Sequence, residues 1–539
     1  MSVRRGFSWP VPHSGDGRPG ARALVGQASA ARRRGWIRLV ASSALAIALA
    51  GCTATARTGG PAPTAAGPAD GPGTAAGAVA HAGPAIGRAA VESLEFPPLR
   101  FEPPQPERFE LSNGVRVLYL RDASLPIVEV MAYFRGGYPY FDRDHYAAAT
   151  ALGSLLLSGG TESLAPDSVD RLVEYYAIGA SFGSSGGVSF GTMSTLRRHL
   201  DAALELWVAM MRRPRFDPDR VEVWRRRELD SVRRLRDLPN TIAIREFNRA
   251  MYGDHPTGWV MDESDLDPED LAPERLRRVH REIFCAENLV LGVAGDVSRE
   301  ELVPRLEAAF GDWPACPREL GALPAPQVRK EPGVIVIHKP LEQSTIVMGQ
   351  AGGVTMEERD AYYASQIANW IIGGGGLSSR LMNRLRTQEG LAYHASSVWV
   401  SGRRSERVFG AFTQTRAEAT IAAAERVRET IAAMTVAPPA PEEVRLAIDA
   451  IANGYVFAFE TPAQVVARQM SYLLAGFPED WLASYLDGIQ TVTPESVHDV
   501  VRQNLRPEAF TVVIVGDTTR FDAAPEVLGP VVGPSRTPR

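Results

Sequence analysis

Two stretches of this chain align without a gap at an offset of 221 residues. Residues 270–296, DLAPERLRRVHREIFCAENLVLGVAGD, meet residues 491–517, TVTPESVHDVVRQNLRPEAFTVVIVGD. Pro273 falls on Pro494, Glu274 on Glu495, Val279 on Val500, Arg281 on Arg502, and Gly295-Asp296 on Gly516-Asp517. Each copy reads as a helix led by proline, a short loop and a buried strand ending in Gly-Asp. Two copies this far apart mean a duplicated domain and not a solenoid. At 539 residues the chain also exceeds what a single core sustains.

Hydrophobic content of 45% and charged content of 22% describe an ordinary globular protein. The formal charge of −5 gives no reason to expect nucleic acid or another polyanion as a partner. Three cysteines exclude a disulfide framework, although Cys285 and Cys316 can pair in an oxidising compartment. The third, Cys52, lies in a different setting. Arg32, Arg33, Arg34 and Arg38 precede an apolar run over 39–50, too short to span a bilayer but suited to a signal h-region. Leu49-Ala50-Gly51-Cys52 closes that run and resembles a bacterial lipobox, in which cleavage leaves a lipidated cysteine. Thr53 after it resembles the lipoproteins sorted to the outer membrane. Residues 53–92 are nearly all Ala, Gly, Pro and Thr, with little to bury, and read as a disordered tether. A lipid-anchored protein of the bacterial cell envelope, on the periplasmic face of the outer membrane, is the expectation.

Further along, 109–120 and 126–134 alternate apolar and polar residues around an Asn113-Gly114 turn, which predicts successive antiparallel strands. An alanine-rich helix over 145–157 stops at Ser158-Gly159-Gly160-Thr161, and Pro166-Asp167-Ser168 opens another. Residues 179–193 are small and polar, the composition of an edge strand able to accept an extended peptide. Amphipathic helices follow over 196–212 and 217–236. The second has six arginines interleaved with Glu222, Glu228, Asp230 and Asp237, a solvated and ion-paired face. A Pro/Ala-rich linker covers 319–332. Beyond it come strands over 334–338, 344–349 and 407–414, helices over 357–372, 417–434 and 441–459, a buried strand over 510–516, and a loose tail over 529–539.

Residues 373–397 read GGGGLSSRLMNRLRTQEGLAYHASS. Four glycines, read as a hinge, feed a helix-compatible segment with Leu377, Leu381 and Leu385 at a spacing of four. A Glu-Gly break ends it near Arg386, and Leu391-Ala392-Tyr393 opens a strand through Val398 and Val400. No Gly-Lys-Ser/Thr follows the glycines, so this is not a phosphate loop. If the chain doubles back, Arg386 can offer a forked cation and Tyr393 a hydroxyl to one peptide carbonyl. On spacing alone, a glycine-rich turn with a surface arginine and a core tyrosine is the simpler account.

The same stretch resembles, without a gap, the C-terminal-half signature of the M16 metallopeptidases, the pitrilysin/insulinase family that includes mitochondrial-processing-peptidase-like proteins. In that family an arginine and a tyrosine flanking the turn hold substrate backbone beside a zinc site supplied by the other half or by a partner subunit. The resemblance assigns this pair to Arg386 and Tyr393, places Gly373, Gly374, Gly375 and Gly376 beside the substrate, and leaves Arg380 a structural role. It also implies a helix carrying His-x-x-Glu-His, in which two imidazoles bind zinc and the glutamate activates water. Counted back from Gly160-Thr161, those positions hold Ala151, Ser154 and Leu155, and the remaining glutamate ligand falls on Ser231 beside Asp230. Independently of any alignment, no two of the nine histidines lie three to five residues apart.

The fold expected is α+β: two homologous M16-type α/β domains, each a mostly antiparallel sheet flanked by helices, forming half of a clamshell. A signal peptide and lipobox occupy 1–52, a domain with the degenerate zinc motif 93–318, and a domain with the Arg386/Tyr393 pair 333–528. The resemblance implies a non-catalytic subunit that binds no cofactor itself, holds unfolded peptide, and completes the zinc centre of an M16 partner as a heterodimer. The alternative is a structural or peptide-binding homologue without proteolysis. An active peptidase with rearranged ligands conflicts with the histidine spacing.

Overall fold

The computed structural model describes residues 101–329 and 331–533. The signal segment, Cys52 and the tether lie outside the described residues. The first half supplies β1 (Glu107–Glu110), β2 (Arg116–Arg121), β3 (Ile127–Arg135), α1 (Tyr146–Ser158), α2 (Pro166–Tyr175), β4 (Gly179–Ser185) and β5 (Val188–Leu196). It continues with α3 (Leu200–Arg212), α4 (Pro218–Leu235), α5 (Pro239–Tyr252), α6 (Pro273–Ile283), β6 (Leu289–Gly295) and α7 (Arg299–Phe310).

The second half runs β7 (Gly333–His338), β8 (Gln343–Ala351), α8 (Arg359–Asn369), β9 (Ala392–Ser401), β10 (Glu406–Arg416) and α9 (Thr420–Val436). Then follow α10 (Pro441–Val456), α11 (Pro462–Leu474), α12 (Trp481–Gln490), α13 (Pro494–Asn504), β11 (Thr511–Gly516) and β12 (Val531–Val532).

These strands form two six-stranded sheets, ordered β1-β2-β6-β3-β5-β4 and β12-β7-β11-β8-β10-β9. The expected α+β duplication is therefore present in five strands of each sheet, while the outer strands differ: β1 runs antiparallel to β2 and β12 parallel to β7. In each sheet the strand of the sequence repeat, β6 or β11, lies parallel to one neighbour and antiparallel to the other. Both are apolar and buried along almost their whole length, which is why they take central places. That insertion corrects one expectation: β2 and β3 are successive in the chain but β6 separates them. Residues 179–193, read as one strand, are a hairpin turning at Gly186, whose φ is +55°. The second helix is capped at Ala165 with Pro166 in its first turn, not by Asp167 or Ser168. The tail is not wholly loose, since Val531 and Val532 pair with β7.

Each sheet packs one face against helices of its own half. Its other face takes a helix from the other half. Phe247, Ala250 and Met251 of α5 pack with Val347, Phe412 and Val513 of the second sheet. Reciprocally, Val466, Ala467 and Met470 of α11 pack with Leu118, Met131 and Val290 of the first. Burying each Phe, Met or Val among them stabilises by about 1.5–3 kcal/mol, so the exchange couples the two halves. Neither helix stood out in the sequence.

The linker and the residue before it are held at several points. Arg318 pairs with Glu282 at 2.7 Å, Arg135 donates to the Gly321 carbonyl at 2.6 Å, and the Arg329 amide donates to Met251 at 2.8 Å. Cys285 and Cys316 are joined as a disulfide at its start.

Candidate functional site

The stretch 373–397 connects α8 to β9, the edge strand of the second sheet. Its glycines are not a hinge between elements. They extend α8 as a widened helical turn over Trp370–Gly374, followed by a tight turn over Gly376–Ser378 in which Gly376 has φ +58°. Gly373 is buried against β9, where an added Cβ would stand 2.4 Å from the Ser397 amide nitrogen. Any side chain would push the turn off the strand. Beyond the turn, the Ser379 hydroxyl accepts from the Met382 amide at 3.4 Å, and the widened helical segment Asn383–Gln388 carries Arg386.

The return into β9 is fixed by two bonds. The Leu391 amide donates to the Leu385 carbonyl at 2.7 Å, and Thr415 Oγ1 donates to the Leu391 carbonyl at 2.6 Å. Pairing with β10 then slips by a residue, with Gln414 opposite His394 but Thr415 opposite Ala392. Tyr393 is the extra residue of this bulge, a device that re-aims a side chain. Its ring is 81% exposed, so the core-tyrosine account does not hold. The Arg386 guanidinium lies over that ring, 4.9 Å from its centroid.

Neighbouring cations are committed elsewhere. Arg380 is bidentate to Glu443 at 2.8 and 2.6 Å, and this arginine holds the Glu443 carboxyl below the usual range. Arg384 and Arg426 each pair with both Glu389 and Glu429. Among the described residues, Arg386 has no carboxylate partner. An exposed forked cation stacked on an exposed phenol can donate to a carbonyl or an oxyanion.

In the first half, α1 meets edge strand β4 in the same manner that the glycine turn meets β9: a Cβ on Gly153 would stand 2.8 Å from the Gly183 Cα. Ala151 and Leu155 are fully buried and share a core cluster with Trp224 and Val232 of α4. Ser154 is exposed and Ser231 half-buried. Methyl groups thus fill the side of α1 where a cation would need nitrogen donors. His255, His280 and His498 each bond a backbone carbonyl through Nε2. Among the described residues, one cluster gathers three groups of metal-binding type, Cys285, Glu287 and Cys316, and its cysteines are bonded to each other.

Residues 270–451, which include Arg386 and Tyr393 but not positions 151–155 or 231, match the family model described as the peptidase M16 inactive domain. The chain carries an M16 peptidase-like domain. This M16-like chain is 21% identical to the non-peptidase homolog YmxG of Helicobacter pylori, over 75% of its own length and 92% of that relative. It is 25% identical to an uncharacterized zinc protease of Streptomyces coelicolor, over 57% of its length and 67% of that protein. Among solved structures, the M16 inactive domain from Pseudomonas fluorescens superposes with a TM-score of 0.67 at 22% identity, covering 77% of this chain and 98% of that one. The periplasmic protease PqqL of Escherichia coli gives 0.66 at 14% identity, covering 77% and 47%. At these identities the structural likeness concerns the fold.

Proposed function

We propose that this M16-like chain is the non-catalytic subunit of a metallopeptidase, binding an unfolded peptide and contributing Arg386 and Tyr393 to the zinc centre of a partner subunit. The observation that carries this reading is the exposed guanidinium on the exposed bulge tyrosine, without a carboxylate partner among the described residues. Such a pair stabilises carbonyl charge without a metal in its own chain. Alanine, serine and leucine at 151, 154 and 155, with serine at 231, support assigning zinc to the partner. Lipid anchoring at Cys52, on the periplasmic face of a bacterial outer membrane, completes the proposal. The Cys285–Cys316 disulfide supports an oxidising compartment.

The test measures zinc content and peptide cleavage of the purified chain, alone and mixed with an M16 chain that carries His-x-x-Glu-His. No zinc and no cleavage alone, with cleavage in the mixture that Arg386→Ala abolishes, is the expected result. Stoichiometric zinc with activity in the lone chain defeats it. A second reading, a peptide-binding protein without proteolysis, is favoured by the likeness to a relative named a non-peptidase homolog. It prevails if the mixture cleaves equally well with Arg386→Ala.

A further inference from the structure

The two sheets correspond row by row. Met131 opposite Gly292 takes the place of Val347 opposite Val513, which sets Glu129 of β3 where Thr345 stands in β8. In the second sheet this row is closed. Thr345 Oγ1 donates to Asn240 Oδ1 at 2.9 Å, and Gln414 Nε2 donates to the same oxygen at 3.0 Å. Asn240 comes from the first turn of the exchanged helix α5.

The row in the first sheet reads Ala294, Glu129, Ser194, Gly179. Here the exchanged helix α11 opens with Pro462 and Ala463, whose side chains have no polar atom. Among the described residues, Glu129 has neither an ion pair nor a hydrogen bond. It is half-buried, and burial raises the pKa of its carboxyl. A carboxylate in that setting is costly until a cation reaches it.

Half-buried Ser194 and exposed Gly179 separate Glu129 from the outer edge of the sheet. Gly179 ends the row on the edge strand without a side chain, and a Cβ there would stand 2.5 Å from Ser194 Oγ. In the second sheet the corresponding edge position is His394, next to the bulged Tyr393. Glu129 therefore lies on the first sheet's counterpart of the row that ends at His394, beside the bulged Tyr393.

We infer that Glu129 is a recognition carboxylate for a cationic group of an extended peptide lying along β4, either a lysine or arginine side chain or the peptide's amino terminus. The inference rests on the peptide-binding reading above and adds a charge preference to it. The test is fluorescence anisotropy of the full chain with three labelled peptides of one apolar sequence: acetylated with a central lysine, lysine-free with a free amino terminus, and acetylated with norleucine for lysine. Wild type should bind one or both cationic peptides roughly tenfold more tightly than the neutral one. Glu129→Gln and Glu129→Thr, the latter taking the residue found in the second sheet, should remove that preference and leave neutral binding unchanged. Thermal melting confirms that each variant is folded. The lysine and amine arms show which source of cation is read. Wild type binding all three equally, or variants retaining the preference, overturns this inference alone. Failure of every peptide to bind overturns the peptide-binding reading with it.

Discussion

Gly292 and Met470 touch across the exchange between the two halves: a β-carbon on this glycine would stand 2.3 Å from the methionine sulfur, and 2.6 Å from Val466 Cγ1. Helix α11 seats directly on the central strand of the first sheet because that strand is bare at this point. Gly292→Ala is expected to force the helix outward and cost about 1–3 kcal/mol by overpacking. Urea unfolding checks this, and a loss below about 0.5 kcal/mol, the range of surface substitutions, would mean that the helix yields freely there.

The disulfide closes a loop between residues 31 apart, around β6 and α7. Cross-linking a loop of this size restricts the unfolded chain by about 3–4 kcal/mol in the chain-entropy account. The double variant Cys285→Ala/Cys316→Ser should lose about that much in denaturant. Adding reductant should destabilise wild type and leave the variant unmoved.

His280 is almost wholly buried, stacked on Phe284 with ring centroids 5.1 Å apart, and its Nε2 donates to the Met211 carbonyl at 2.7 Å. Burial pushes its pKa down to about 4, so the folded state refuses a proton that the unfolded state accepts near pH 6.5. Stability present above that unfolded value is lost as pH falls, amounting to about 3 kcal/mol by pH 4. His280→Gln keeps a donor for Met211 but does not titrate. The difference in unfolding free energy between wild type and variant should therefore shrink from neutral pH to pH 4. A constant difference would show that the imidazole does not govern acid sensitivity.

Arg386→Ala should leave stability within about 0.5 kcal/mol of wild type, because the side chain is exposed and no carboxylate among the described residues depends on it. Arg380→Ala should cost more, about 1 kcal/mol, by stripping Glu443 of its bidentate partner. Thermal melts of the two variants separate them. Equal losses would mean that Arg386 also braces the fold.

Much of the fold was legible because helices led by proline and apolar strands announce themselves locally, as the α6-β6 and α13-β11 copies do. Strand pairing was less so. Nothing in the alternation of 109–134 reveals that β6, far along the chain, enters between β2 and β3. At the site, Arg386 and Tyr393 were named from the chain, but the bulge that turns the tyrosine outward depends on β10. Glu129 passed unnoticed in IVEVMAYF, where a glutamate reads as the polar side of an alternating strand.

The amino-acid sequence alone determined the duplication and the residue types at 151, 154, 155 and 231, since identity and spacing are properties of the chain itself. Tertiary structure decided which helix covers which sheet, that Arg386 rests on Tyr393, and that Glu129 lacks the polar neighbour its counterpart Thr345 has. Those outcomes depend on burying apolar faces and pairing polar groups between segments hundreds of residues apart, and local periodicity holds no record of them.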